Sequence, residues 1–180
     1  MKSVVVVGTG IMGAGIAAGF LARSIPVVIL GRNKEKAEAC LDKALTLAKK
    51  IGVEGDNATK DQADIKKQQV VGVLEEYQGW NDCIWVIETI AENLALKQEI
   101  FKYLDRAVPA NIPIGSNSSG FPISKIAEGL NTANRMMGAH YFMPAEVVPL
   151  VEIVMGQKTE IQFAEKACDL YRSIDKKPVL

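Results

Sequence analysis

KSVVVVGTGIMGAGIAA, residues 2–18, decides the fold. Residues 4–7 are a run of four valines, the pattern of a strand buried on both faces. Gly8 ends the run, and Gly8, Gly10 and Gly13 spell G-x-G-x-x-G. Small apolar residues follow from about Ile11 and read as a helix. Each glycine has a mechanical task. Gly8 makes a tight turn, Gly10 lets backbone approach a pyrophosphate, and Gly13 lets the helix lie close to the strand. Ile11 and Met12 open the helix, where free N–H groups and the positive dipole end face an anion. A glycine motif alone is weak. Here a strand precedes it and a helix follows, the context in which it signals dinucleotide binding.

The chain has 180 residues, enough for one large domain with a real core. Hydrophobic residues make up 48% and charged residues 23%, the balance of a soluble globular protein. The formal net charge is zero, which argues against a nucleic-acid partner or an acidic membrane surface. No apolar run approaches the ~20 residues of a membrane span, and no signal-peptide pattern opens the chain. Cys40, Cys83 and Cys168 are scattered, with no metal-ligand spacing. They read as reduced thiols in a cytoplasmic protein, and no metal is expected.

Outward from the opening stretch, the first helix runs to about Ser24 and Pro26 opens a second strand over residues 27–30. Asn33 is placed to cap a helix whose Ala37, Cys40, Leu41, Ala44, Leu45 and Ala48 share one face. Residues 52–69 are polar and turn-rich, and read as a helical excursion off the sheet. A short strand is expected over residues 70–74 and a buried one over CIWVI, residues 83–87. An amphipathic helix from Asn93 to about Val108 turns Leu94, Ile100, Phe101 and Leu104 inward. Pro109 ends it. Further strands are expected over residues 112–115, 135–142 and 151–155, with a short helix bearing Ile123, Ile126 and Ala127. Thr159 is a candidate cap for a last helix ending near Ser173, and residues 178–180 begin another strand. The alternation predicts one α/β domain over residues 1–180, a Rossmann-type doubly wound, mainly parallel sheet.

At the end of the second strand, about 20 residues past the glycines, NAD-binding versions of this fold carry an acidic residue for the ribose 2′-hydroxyl. This chain has Gly31 there, followed by Arg32. A glycine offers no carboxylate, and a guanidinium pairs with a 2′-phosphate, so the cofactor is NAD or NADP, leaning to NADP. In the second half, Ser119 follows a strand, His140 is the only histidine, and Glu152 stands alone among the apolar residues of LVEIV. A lone histidine in an apolar context is more often a packed core residue than an acid–base group. If His140 and Glu152 lie on adjacent strands, the carboxylate orients the imidazole. The histidine then exchanges the proton of a substrate hydroxyl. Ser119 could bond the same oxygen, or could simply serve the Ser/Asn turn it stands in.

VVVVGTGIMGAGIA, VIETIAENLALKQEIFKYLD, SNSSGFPISKIA and GAHYFMPAEVVPLVEIV occur here in one order and cover most of the chain. Together they resemble the N-terminal NAD(P)-binding domain of the L-3-hydroxyacyl-CoA dehydrogenase family. The resemblance implies an oxidoreductase of fatty acid metabolism, with His140 as catalytic base, Glu152 as its orienting carboxylate and Ser119 on the reacting oxygen. It places Glu88 and Asn93 near the nicotinamide half of the cofactor. It also places the excursion near residues 52–69 against coenzyme A, with Lys49 or Lys50 at a CoA phosphate. It implies a small-molecule substrate, an acyl-CoA, and a homodimer for the full-length protein.

Three departures stand out. Gly31-Arg32 replaces the family's acidic residue. Met143 stands where the family has asparagine, three places after the histidine, which opens smaller 3-hydroxy acids as substrates. The family continues into an all-helical C-terminal domain, and this sequence stops where the linker to it would begin. The isolated domain is therefore expected to bind dinucleotide and turn over poorly. Two other readings stay open: a β-hydroxyacid, phosphogluconate-type dehydrogenase, which relies on a catalytic lysine, and a non-catalytic dinucleotide-binding module.

Overall fold

A computed structural model describes residues 2–52 and 69–180. Strand β1 (Ser3–Val7) leads through the glycine turn into α1 (Ile11–Leu21). Then come β2 (Val27–Gly31), α2 (Lys34–Ile51) and β3 (Val70–Val73). The second half contributes β4 (Cys83–Glu88), α3 (Leu94–Ala107), β5 (Ile114–Ser116), α4 (Ile123–Ile126) and β6 (Met136–Tyr141). It closes with β7 (Leu150–Met155), α5 (Ile161–Arg172) and β8 (Lys177–Val179). The expected excursion lies, but for its end residues, outside the described residues.

The strands form one sheet in the order β3-β2-β1-β4-β5-β6-β7-β8. Every neighbouring pair is parallel except β6 and β7. The order reverses direction between β1 and β4, and in open α/β sheets ligands bind outside the carboxyl ends of the strands at that point. β1 shows why both faces are covered. Val4 and Val6 belong to the core under α1, α2 and α5, and Val5 and Val7 to the core under α3 and α4. All four valines are essentially sealed from solvent.

Local chemistry accounts for the element ends. The Asn33 side chain accepts a hydrogen bond from Lys36 N–H at 2.9 Å, and all six residues assigned to the α2 face are buried. Ser24, at φ 59°, ends the chain's helical course beyond α1. β5 starts two residues later than expected. Pro113 precedes it without an N–H, and the carbonyls of Pro109 and Ile112 are taken by the Arg135 guanidinium at 2.7 and 2.9 Å. Arg135 also reaches the carbonyls of Asp105 and Val108, so one fully buried cation closes the end of α3. Thr159 does not cap α5. The N-cap is Glu160, and the Thr159 hydroxyl donates instead to the Met136 carbonyl at 2.5 Å.

Candidate active site

The glycine turn is built as its residues dictate. Gly8 has φ +132°, and a side chain there would put Cβ 2.6 Å from the Thr89 carbonyl oxygen. A Cβ at Gly13 would stand 2.3 Å from the Gly8 oxygen, so strand turn and helix touch backbone to backbone. Gly10 is different: nothing lies within 4 Å of where its Cβ would be. That open side adjoins the start of α1, whose first turn carries no acidic residue and no side-chain cap. The first N–H groups of the helix are therefore free to meet an anion. An uncapped helix end beside open space fits the pyrophosphate of a dinucleotide. Ile11 is exposed and Met12 half-buried at its mouth. At the end of β2, Gly31 is half-buried and Arg32 exposed.

β4 and α3 supply a buried ion network. The Glu88 carboxylate is fully buried, and Oε1 accepts from Lys97 Nζ at 2.8 Å and Ile90 N–H at 2.7 Å. Its Oε2 accepts from the Ser116 hydroxyl at 2.6 Å. Lys97, only 1% exposed, lies 3.4 Å from Glu92 Oε2. Glu92 Oε1 accepts from the Ser118 hydroxyl at 2.5 Å and from Gly120 N–H at 2.8 Å. Burial raises the Glu92 carboxyl. The bonds from Ser118 and Gly120, with the Lys97 charge, outweigh it and hold the group below its ordinary value.

The two residues expected near the nicotinamide half also have partners within the chain. Both Glu88 oxygens accept hydrogen bonds inside the protein. Asn93, exposed at the head of α3, uses its side-chain oxygen to cap the helix by accepting from Leu96 N–H at 3.0 Å. Glu92 and Lys97 were not singled out from the sequence. Lys97 carried a signal: it stands on the α3 face that buries Phe101 and Leu104, where a lysine needs a partner.

The network holds the residues on either side of Ser119, which is itself exposed. From the other side, Asn117 accepts from Tyr141 N–H at 2.8 Å, tying the serine turn to the end of β6 beside His140. β6 and β7 are antiparallel, and their register sets His140 directly opposite Glu152. His140 Nδ1 and Glu152 Oε2 are 2.9 Å apart, with the two side chains 24% and 46% exposed. Ser119, His140 and Glu152 thus share one end of the sheet, and the pairing expected of the last two is present. The imidazole also packs on the Phe142 ring, centroid to centroid 4.7 Å. With Nδ1 turned to the carboxylate, Nε2 is the atom left for a substrate. Met143, two-thirds exposed, follows at the mouth of the same hairpin. Lys49 and Lys50 are exposed in the last turn of α2, where cations suit the helix dipole. No group of three or more metal-ligating side chains occurs among the described residues. No helix among them is long and apolar enough to cross a membrane.

Comparison with known proteins agrees with this geometry. A family model for the 3-hydroxyacyl-CoA dehydrogenase NAD-binding domain matches residues 3–180. The chain is 35% identical over 180 residues to the peroxisomal fatty acid beta-oxidation multifunctional protein AIM1 of Arabidopsis thaliana. That match covers 100% of this chain and 25% of the relative. It is 33% identical over 184 residues to the fatty acid oxidation complex subunit alpha of Shewanella baltica, again 100% of this chain and 25% of the relative. The crystal structure of (S)-3-hydroxybutyryl-CoA dehydrogenase PaaH1 from Ralstonia eutropha superposes with a TM-score of 0.86 at 28% identity. It covers 99% of this chain and 62% of that one. The chain spans about a quarter of the length of the curated relatives it matches. With its glycine turn, switch point and His–Glu hairpin, the chain belongs to the 3-hydroxyacyl-CoA dehydrogenase family, as its NAD-binding domain.

Proposed function

We propose that this chain binds a nicotinamide dinucleotide and supplies the proton-handling side of a dehydrogenase. The reaction interconverts the 3-hydroxy and 3-keto groups of an acyl-CoA or a smaller 3-hydroxy acid. The observation that carries this reading is the 2.9 Å contact between His140 and Glu152 at the sheet end that also holds the glycine turn. Gly8, Gly10, Gly13 and the first N–H groups of α1 would hold the pyrophosphate. The bound nicotinamide supplies hydride exchange with the substrate carbon. His140 Nε2 takes the hydroxyl proton during oxidation and returns it during reduction, while Glu152 fixes the ring and offsets its positive charge. Ser119 donates to the same oxygen from a turn that Glu92 and Asn117 hold in place. Met143 presents a thioether where an amide would otherwise bond substrate or cofactor, which brings substrates without CoA into the range.

Within this reading the cofactor leans to NADP. Gly31 offers no acceptor to a ribose hydroxyl, and Arg32 is exposed with no ion pair among the described residues. The test is a titration of the full-length protein with NADH and NADPH, followed by turnover with acetoacetyl-CoA and with free acetoacetate. Tighter NADPH binding and reduction of at least one 3-keto substrate are expected. Equal or tighter NADH binding refutes the NADP preference. Cofactor binding without reduction of either substrate refutes the enzyme.

A further inference from the structure

Position 31 and the middle residue of the glycine turn are in contact. A Cβ at Gly31 would stand 2.6 Å from the Thr9 methyl carbon and 3.7 Å from its hydroxyl. The next nearest atom is the Asn33 carbonyl oxygen at 3.6 Å, an ordinary contact. The Thr9 methyl alone therefore occupies the place a side chain at position 31 needs. It cannot withdraw cheaply. Thr9 is β-branched and stiff at χ1. Its backbone is held between Gly8, locked at φ +132° against the Thr89 carbonyl, and Gly10, the N-cap of α1. Gly8 N–H is also bonded to the Leu30 carbonyl, one residue before Gly31, at 2.9 Å. Turn and strand end form one tight unit.

We propose that Thr9 is a cofactor-specificity residue. Its methyl closes the strand end to the carboxylate that reads the ribose 2′-hydroxyl of NAD, so that position 31 must stay glycine and Arg32 meets the 2′-group. This rests on the cofactor reading above and adds a second determinant to it. Restoring a carboxylate at position 31 then does nothing for NAD unless residue 9 is trimmed as well.

The experiment is a double-mutant cycle on the full-length protein with T9A, G31D and T9A/G31D, read as Kd for NADH and NADPH by nicotinamide fluorescence. G31D alone is expected to weaken or leave unchanged the binding of both cofactors. T9A/G31D is expected to bind NADH about tenfold more tightly than the two single effects combined predict, a coupling of ordinary size for residues in contact. The NADH-to-NADPH ratio is the readout, because a loss of packing alone would not move it. Because G31D could fail to fold, thermal unfolding of G31A and T9A/G31A gives a parallel reading. G31A is expected to lower the Tm and T9A to restore most of the loss. Strictly additive NADH affinities, or a G31A penalty that T9A does not relieve, overturn the role of Thr9. Wild-type protein that prefers NADH overturns the NADP reading and leaves the coupling between residues 9 and 31 to stand or fall on its own numbers.

Discussion

The Glu88–Lys97 pair shows how much one buried contact can decide at the scale of a residue. Both side chains are sealed from water, 2.8 Å apart, and Glu88 has two further donors in Ile90 N–H and the Ser116 hydroxyl. Removing one partner of such a pair leaves a buried charge uncompensated, which costs about 3–5 kcal/mol. Lys97→Met is therefore expected to lower unfolding free energy by about that amount in a urea titration. Adding Glu88→Leu should recover only part of it, because Ser116 and Ile90 then lose their acceptor. The thiols make a second prediction at this scale. Burial pushes the Cys83 thiol up to about 12 and the Cys40 thiol up to about 11, with smaller opposing effects from nearby N–H groups and cations. Both stay protonated at neutral pH, so neither should react with a thiolate-selective reagent in the native protein. These folded values lie above the unfolded ones, so the folded chain holds its protons while the unfolded chain releases them. Stability is thus full below about pH 9 and falls as pH rises towards 11 and 12. A series of denaturant melts across that range checks the slope.

Among elements, the β6–β7 hairpin carries His140 and Glu152, the proposed acid–base pair, and its connecting turn is held from two sides. Lys176, buried just before β8, donates to the carbonyls of Ala145 and Val148 at 2.6 and 2.7 Å. Burial lowers the pKa of this lysine, and the Glu146 charge partly offsets that. On the other side the turn presses on α1. A Cβ at Gly15 would stand 2.7 Å from a Glu146 carboxylate oxygen and 3.0 Å from the Ala145 methyl. The helix α1 and the hairpin that carries His140 are thus packed together through a glycine. Lys176→Met is expected to release the turn, leaving the buried Ala145 carbonyl short of a donor at about 1–3 kcal/mol and the part-buried Val148 carbonyl at less. Turnover should fall while dinucleotide affinity holds, because the glycine turn is untouched; paired Kd and kcat measurements separate the two. Lys176→Arg, which keeps the charge and the donors, should restore part of the rate.

For the whole molecule, the doubly wound, mainly parallel α/β sheet was legible because it rests on local patterns, whereas the strand order β3-β2-β1-β4-β5-β6-β7-β8 was not. The β-branched runs, the glycine spacing and the apolar face of α2 each carry their structure within a few turns of chain. The sequence offered the His140–Glu152 pair only on condition that their strands are neighbours, and the antiparallel β6–β7 register meets that condition. What stayed hidden depends on contacts far apart in sequence. The Ser116 hydroxyl reaches the Glu88 carboxylate across 28 residues of sequence. Thr159 looked like a cap until its hydroxyl found the Met136 carbonyl 23 residues earlier. That the Thr9 methyl fills the place of a Cβ at position 31 shows only when the turn and the strand end lie side by side. On the proposed reading, the dinucleotide turn and the His140–Glu152 hairpin act as one site. Nicotinamide absorbance, followed as the full-length protein reduces acetoacetyl-CoA, compares wild type with His140→Ala. The variant is expected to bind the reduced cofactor as tightly as wild type and to lose turnover by about a hundredfold or more, the scale of general acid–base catalysis. A His140→Ala protein that turns over at the wild-type rate would contradict that reading.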